Sequence, residues 1–467
     1  MKASKAEGLG LLAIAAVAFA LFAQRDDLAA LPDGDQRQYL AIAYHLVHHR
    51  GFSMAKDVRA EAAFPTNYRE PLYPALLAAL MLADGRLRHD ALRCLAAHST
   101  ECEDVYRSPV SLNFALHVLA AFCTWLAARR LLAQKLWALL TFAFVACNPP
   151  LLEYAAGAWS EPLAVSLVAL LGYSLLRAVE TRAARWFLMV GVALGLLALT
   201  KAIFFYLVPL VCAGLLVREW RRWRRVRAAL LTAVAAGALL APWMARNLWR
   251  FGSPGLASLH RPSALLSIRA EMNRMSALEY AAAFAYWTDG AARPLRQPLL
   301  NLFPESALRR LHEKIDGAWN LESFYRRGWD SMKSRRAEKV AAGLSWQSAQ
   351  AKVFHESLHD MLKQPLRYTL ITLPVLYRGI NGDFFWVITA PSLVFMLAFA
   401  LRRWRWEIAA LLLPGVFSLA FYACLTYFDP RFIATSIPAL AISGGLAMEK
   451  FSGWLRAPCT PTFCSDS

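Results

Sequence analysis

Apolar residues in this chain gather into long unbroken runs, not into stripes of helical or strand period. Runs at 8–23, 109–128, 136–152, 162–176 and 186–199 are followed by others at 203–217, 228–243, 384–401, 408–425 and 432–448. Each approaches the length an α-helix needs to cross about 30 Å of hydrocarbon. Helices that are apolar all round are not surface elements of a water-soluble protein. The pattern predicts an all-α polytopic membrane protein, a bundle of about ten transmembrane helices. Lys2 and Lys5 before the first run would also suit a signal peptide. With so many runs downstream, the first reads as an uncleaved anchor.

The runs divide the chain. Residues 1–245 form an N-terminal membrane bundle that includes a first large loop at 24–108. Residues 246–383 form a long polar segment of helical pattern, 384–450 the C-terminal membrane helices, and 451–467 a tail. Two apolar stretches inside the loops are expected to lie in the interface: 71–83 is short, and 366–380 carries Arg367 and Arg378. If 366–380 crossed instead, the C-terminus would change sides.

Charge changes the picture in one respect. A net charge of +18 first suggests nucleic acid. The cations, however, sit in short connections between runs: Arg129, Arg130 and Lys135; Arg177, Arg182 and Arg185; 218–227; Arg402, Arg403 and Arg405; Lys450 and Arg456. This is the positive-inside bias. It predicts a multi-pass inner-membrane protein with both termini cytoplasmic. The lipid bilayer is its partner and nucleic acid is not. The loops at 24–108, 153–160 and 246–383 then form the outer, periplasmic face, the last as a helical cap. Cys123, Cys147, Cys212 and Cys424 fall in the runs and read as small apolar residues, while Cys459 and Cys464 lie in the tail. Cys94 and Cys102 fall in the first outer loop, where a disulfide and two free thiols stand as alternatives.

Candidate chemistry follows from charged residues close to the outer membrane surface. Asp35 suits a helix N-cap, with Gln38 completing a capping box and Gly51 ending the helix. An ionised aspartate there also suits a general base. Arg69 precedes the apolar stretch at 71–83, where it marks either a helix entry or a phosphate contact. Ser160 suits a cap of the next span and Glu161 its first turn. Arg246 and Arg431 stand at outer span ends, as snorkelling anchors or as site residues. His355-Glu356-Ser357-Leu358-His359 matches HExxH, which on a helix presents two histidines to zinc. It marks no third ligand and lies outside the runs.

Taken in order, these segments resemble the GT-C glycosyltransferases that use polyprenyl-phosphate sugars, among them protein O-mannosyltransferases and lipid A aminoarabinose transferases. Asp35 and Tyr39 match an acidic first-loop element, and Arg69-Glu70-Pro71-Leu72-Tyr73 matches a Lys/Arg-Pro-Pro-Leu-Tyr element. Ser160-Glu161 matches an acidic second turn, 195–201 a Gly-Leu-Leu-x-Leu-Thr-Lys/Arg stretch, and 242–247 a Pro-Trp-x-x-Arg-Asn element. Arg431-Phe432 and Pro438 match the start of the last span. The likeness runs to about Lys450. Gln36 replaces a glutamate common in relatives, and Glu70 replaces the first proline.

The resemblance implies a hexosyl or pentosyl transferase on the outer face of the membrane. A polyprenyl-phosphate-linked sugar would be the donor, and a hydroxyl or phosphate of a glycan, lipid or protein the acceptor. Asp35 would act as base and Glu161 would orient the acceptor or a cation, with Arg69, Arg246 and Arg431 on the donor phosphate. Tyr39, Tyr73 and Lys201 would support the site. Relatives differ in whether they need a divalent cation. Two other readings stand beside this one. A transporter or flippase for lipid-linked saccharides would carry charges at mid-membrane, and here the charges sit at span ends. A zinc protease would rest on His355 and His359 alone.

Overall fold

The computed structural model describes residues 4–25, 32, 34–55, 64–97, 100–218 and 222–456. The architecture is all-α. Extended pairing among the described residues is confined to a two-stranded hairpin with Lys314 opposite Trp319 and Ile315 opposite Ala318.

By length and composition, six described helices can cross a membrane: Lys5–Ala23, Asp104–Leu131, Glu161–Thr181, Val226–Phe251, Trp406–Leu425 and Pro430–Ser452. A seventh span exists if Lys135–Ala146 and Pro149–Ala155, bent by 50° where they meet, are one broken crossing. The bend falls at Asn148-Pro149-Pro150, where proline cannot continue the backbone ladder. The other three predicted crossings are shorter apolar helices, Ala184–Thr200, Ala202–Val217 and Trp386–Arg402. Hydropathy thus finds every apolar element, but only six or seven pass on length. Leu72–Ala83 has 12 residues and Pro365–Ile380 has 16, and neither counts among the crossings.

Burial separates inner from outer helices. The apolar windows of Glu161–Thr181 and Pro430–Ser452 are each 83% buried, against 17% for Lys5–Ala23 and 28% for Val226–Phe251. The first two are the bundle's centre and the last two face outward. Glu161–Thr181 packs against Arg107–Leu131, Ala184–Thr200 and Trp406–Leu425. Ile437–Arg456 packs against Trp386–Arg402 and Lys135–Ala146. The first anchor is tied in by Glu7, buried between Arg129 at 2.5 Å and Lys135 at 3.5 Å. In the 246–383 segment, His260–Met272 packs against Phe324–Ala341 and Trp346–Leu362. Cys94 and Cys102 are joined by a disulfide, which settles that alternative. The tail cysteines Cys459 and Cys464 lie outside the described residues.

Helices in lipid associate through close packing, which small residues permit. Gly191 shows this where Ala184–Thr200 meets Arg222–Phe251. A Cβ there would stand 2.4 Å from the Thr232 carbonyl oxygen and 2.7 Å from the Ala235 Cβ. At Gly214 a Cβ would meet nothing within 4 Å. Gly191→Ala is expected to destabilise the purified protein by about 1–3 kcal/mol, and Gly214→Ala to leave it unchanged or slightly more stable. Thermal unfolding in detergent reads the difference, and equal melting temperatures would refute the close contact.

Candidate functional site

Asp35 lies in the first turn of the Gly34–His49 helix, one residue inside its start. It is therefore not the N-cap that the sequence pattern suggested. Its carboxylate instead meets three arginines from distant parts of the chain. Arg69 donates through Nη2 to Oδ1. Arg261 donates through Nη1 to Oδ2 at 2.9 Å, and Arg431 does the same at 2.9 Å.

Each arginine is fixed by other contacts. Arg69 is buried in the loop before Leu72–Ala83, donates Nε to Gln38 Oε1 at 2.6 Å, and stacks between Tyr39 and Tyr68 at 5.3 and 5.2 Å. Gln38 thus holds an arginine and not a helix terminus. Arg261 stands in the first turn of His260–Met272. That helix is pinned where Gln350 donates to Ser263 Oγ at 2.7 Å and accepts from Arg336 at 3.1 Å. Arg431 stands in the first turn of the last span, with Nε 3.4 Å from Asp429 and its guanidinium over Phe432 and Trp159.

Burial alone would raise the Asp35 carboxyl, but the charges of Arg261 and Arg69 outweigh it and hold the group at about 2. Asp429 behaves oppositely: burial outweighs the attraction of Arg378 and lifts its carboxyl to about 6. Three guanidiniums against one carboxylate leave a local excess of positive charge. Such an array, with fixed donors on several sides, suits a phosphate.

The other predicted residues fall into neighbouring groups. Tyr39 pairs its hydroxyl with Ser160 Oγ at 3.1 Å, so Ser160 holds Tyr39 and makes no capping bond. Tyr73 packs edge-on to Tyr39 and accepts from Asn113 at 3.0 Å. Asn113 also donates to the carbonyls of Gly157 and Trp159, at 2.6 and 2.9 Å. Glu161 is buried and pairs with Lys201 at 2.8 Å, while Glu70 accepts from the Ala202 amide at 2.9 Å. Gln36 accepts from the Ala158 amide at 2.7 Å.

Arg246 is not brought to Asp35. It donates to the Thr66 carbonyl at 3.0 Å and to Asn247 at 2.7 Å, and its guanidinium packs over Trp243, Phe52 and Phe251. It braces the loop that carries Arg69. His355 and His359 lie in Trp346–Leu362, where Glu356 pairs with Lys339 at 2.8 Å. Among the described residues no three His, Cys, Asp or Glu gather where they could hold a metal ion.

Sequence reasoning missed Arg261. The one available signal was an arginine in a helix's first turn, where the macrodipole favours acids. Pro262 follows it, as is common near helix starts. The 246–383 segment holds so many arginines that the anomaly does not stand out.

The depressed Asp35 carboxyl stabilises the fold fully above its unfolded value of ~3.9, and that contribution is lost as pH falls toward its folded value. Asp35→Asn removes the carboxylate at every pH and leaves the guanidiniums without it. Saturating sulfate or phosphate is expected to stabilise this variant by about 1–3 kcal/mol more than it stabilises wild type, where Asp35 competes. Equal melting shifts in the two proteins would show that the three arginines do not form one anion site.

Residues 104–245 match the model of the dolichyl-phosphate-mannose-protein mannosyltransferase family. No curated protein matches the chain in sequence. Among solved structures the chain is similar to the apo oligosaccharyltransferase of Archaeoglobus fulgidus, at 12% identity and a TM-score of 0.52 over 96% of this chain and 51% of that one. It is similar to the same organism's AglB bound to an inhibitory peptide and a dolichol-phosphate, at 13% identity and a TM-score of 0.50 over 97% of this chain and 51% of that one. ArnT from Cupriavidus metallidurans bound to undecaprenyl phosphate gives 13% identity and a TM-score of 0.40 over 94% and 77%. The chain spans about half the length of the oligosaccharyltransferase it matches. With helices long and apolar enough to cross a membrane and a fold shared over nearly its whole length with the Archaeoglobus fulgidus oligosaccharyltransferase, the chain is an all-α polytopic membrane protein of that fold.

Proposed function

We propose that this protein transfers a sugar from a polyprenyl-phosphate donor to an acceptor hydroxyl, with inversion at the anomeric carbon. The observation that carries the reading is the Asp35 carboxylate held by Arg69, Arg261 and Arg431 beside the last span. The AglB complex with dolichol-phosphate supports a lipid phosphate as ligand of this fold.

In this reading one site serves both ends of the reaction. Without donor, Oδ1 is taken by Arg69 and Oδ2 by Arg261 and Arg431. A carboxyl held at about 2 is a poor base. The donor phosphate competes for the same guanidiniums. As they turn to it, Asp35 is released and its affinity for a proton rises. An acceptor hydroxyl then gives its proton to Asp35 while its oxygen attacks the anomeric carbon. The bond from that carbon to the phosphate oxygen breaks, and its electron pair leaves on the phosphate, where the arginines stabilise it. Glu161, bound to Lys201, and Tyr39, bound to Ser160, orient the acceptor side. Arg246 acts through the loop it braces.

A divalent cation does not fit these residues: Asp35 is engaged by arginines and Glu161 by Lys201. No step is therefore routed through one. The basic connections and the Cys94–Cys102 disulfide support a periplasmic site at the inner membrane with a cytoplasmic N-terminus. In this reading the helices of 246–383 cap that outer face.

In vesicles, wild type is expected to move labelled sugar from polyprenyl phosphate to an acceptor fraction. Asp35→Asn should lose about 10²-fold or more of that rate and still bind undecaprenyl phosphate. Full activity in Asp35→Asn would remove the base. Movement of intact lipid-linked sugar across the bilayer, without transfer, would favour a flippase.

A further inference from the structure

A second charged recess lies in the 246–383 segment, beside the three-arginine site but distinct from it. Its volume is about 380 Å³, within the size range of small-molecule sites. Tyr286, Trp287, Arg296, Lys314 and Arg378 line it, together with Asp289 and Glu313. The two carboxylates are already engaged. Glu313 accepts from Arg378 at 2.6 Å, and Asp289 accepts from the Gly290 amide at 2.9 Å. The cations are less fully satisfied. Arg296 lies over the Tyr286 ring and Arg378 over the Trp287 ring, and the Nε of each is buried without a hydrogen-bond partner. Lys314 is exposed and packs on the Trp319 ring.

The recess is coupled to Asp35 through side chains. Arg378 lies over Tyr427, the Tyr427 hydroxyl donates to Asp429 at 3.1 Å, and Asp429 is 3.4 Å from Arg431, which bonds Asp35. Pro430, next to Arg431, forms part of the wall.

We propose that this recess binds the acceptor, and that the acceptor is a saccharide bearing a phosphate or carboxylate. The inference rests on the glycosyltransferase reading. Arginine forks recognise both anions. Tyr286 and Trp287 offer apolar ring faces beside them, which suits the apolar face of a sugar ring. A compact recess fits one or two sugar rings better than an extended peptide, which advances ~3.3 Å per residue. Its place beside Pro430 and Arg431 lets a bound saccharide extend a hydroxyl toward Asp35 while its anion stays with Arg296, Lys314 and Arg378.

The test uses the full-length protein in nanodiscs with undecaprenyl phosphate saturating the three-arginine site. Glucose 6-phosphate, glucuronate, glucose and an acidic peptide are titrated by calorimetry. Arg296→Gln with Lys314→Gln changes neither the Asp35 cluster nor the buried Arg378 pair. Wild type is expected to bind the two anionic sugars at least about tenfold more tightly than glucose. The double variant should lose about tenfold of that affinity and keep its affinity for undecaprenyl phosphate within about twofold. Four results would each overturn the proposal: no sugar binding by wild type, equal binding of glucose and the anionic sugars, an unaffected double variant, or tighter binding of the acidic peptide. Failure of the parent reading looks different, as loss of undecaprenyl phosphate binding or of sugar transfer with the recess still binding its probes.

Discussion

Much of this structure depends on one carboxylate and the three guanidiniums that close on it. Asp35, Arg69, Arg261 and Arg431 come from the first loop helix, the loop before Leu72–Ala83, the 246–383 segment and the start of the last span. Charges taken out of water are tolerated when paired and hydrogen-bonded, and removing one partner leaves the others uncompensated. The cluster therefore fastens four distant parts of the chain at one point. Its charges do not balance, however. Arginine exceeds carboxylate even when Asp429 is counted on the far side of Arg431. An ion cluster serving stability alone gains nothing from that excess. A site awaiting an anion does.

The bundle makes the cluster by holding two loops against each other. Gln36 reaches the Ala158 amide, and a Cβ at Gly157 would lie 2.5 Å from the Gln36 side-chain oxygen. A larger residue at that position would have to displace the Gln36 side chain that bonds the turn. Asn113, fully buried in Arg107–Leu131, fixes the same turn through two carbonyls and reaches Tyr73 as well. At the other side, buried Asp383 accepts from Asn148 at 2.8 Å and from Thr389 at 2.7 Å. That ties the break at Asn148-Pro149 to the end of the 246–383 segment. The polar residues within the bundle thus hold loops in place, and the central helices Glu161–Thr181 and Pro430–Ser452 carry those loops on rigid supports.

How much of this was legible in the sequence follows from what each signal measures. Hydropathy reports apolar length, so it located every span-like element. It does not distinguish a helix that must match the bilayer from one shielded by neighbours, and Ala184–Thr200 is largely shielded. Nor did apolarity reveal the bend at Asn148, since the prolines that cause it sit in an apolar run. At the site, Asp35 and Arg69 could be picked out as charged residues of the first outer loop close to the membrane, and Arg431 as an arginine at an outer span end, where positive-inside statistics make it uncommon. Arg246 met the same criterion yet braces a loop, because a span-end arginine can bind an anion or pack on aromatic rings, and sequence does not record which. Arg261 met no criterion. Its partner is more than two hundred residues away, and only the packing of His260–Met272 on its neighbouring helices brings the two together.

The link from Asp35 to the recess runs through Asp429, and its chemistry bears on how two substrates share one protein. Burial raises the Asp429 carboxyl to about 6, so it is less firmly ionised than Asp35 at about 2. It stands between Arg431, which belongs to the anion site, and Tyr427, which packs under Arg378 of the recess. If Arg431 turns toward a donor phosphate, Asp429 loses a counter-charge and Arg378 becomes its nearest compensation. If an anion occupies the recess, Arg378 is drawn away and Asp429 must lean on Arg431. The two anions thus act on a single carboxylate from opposite sides. In the proposed transfer the donor phosphate frees Asp35, and Asp429, set between the anion site and the recess, is a physical means of making each binding event felt at the other.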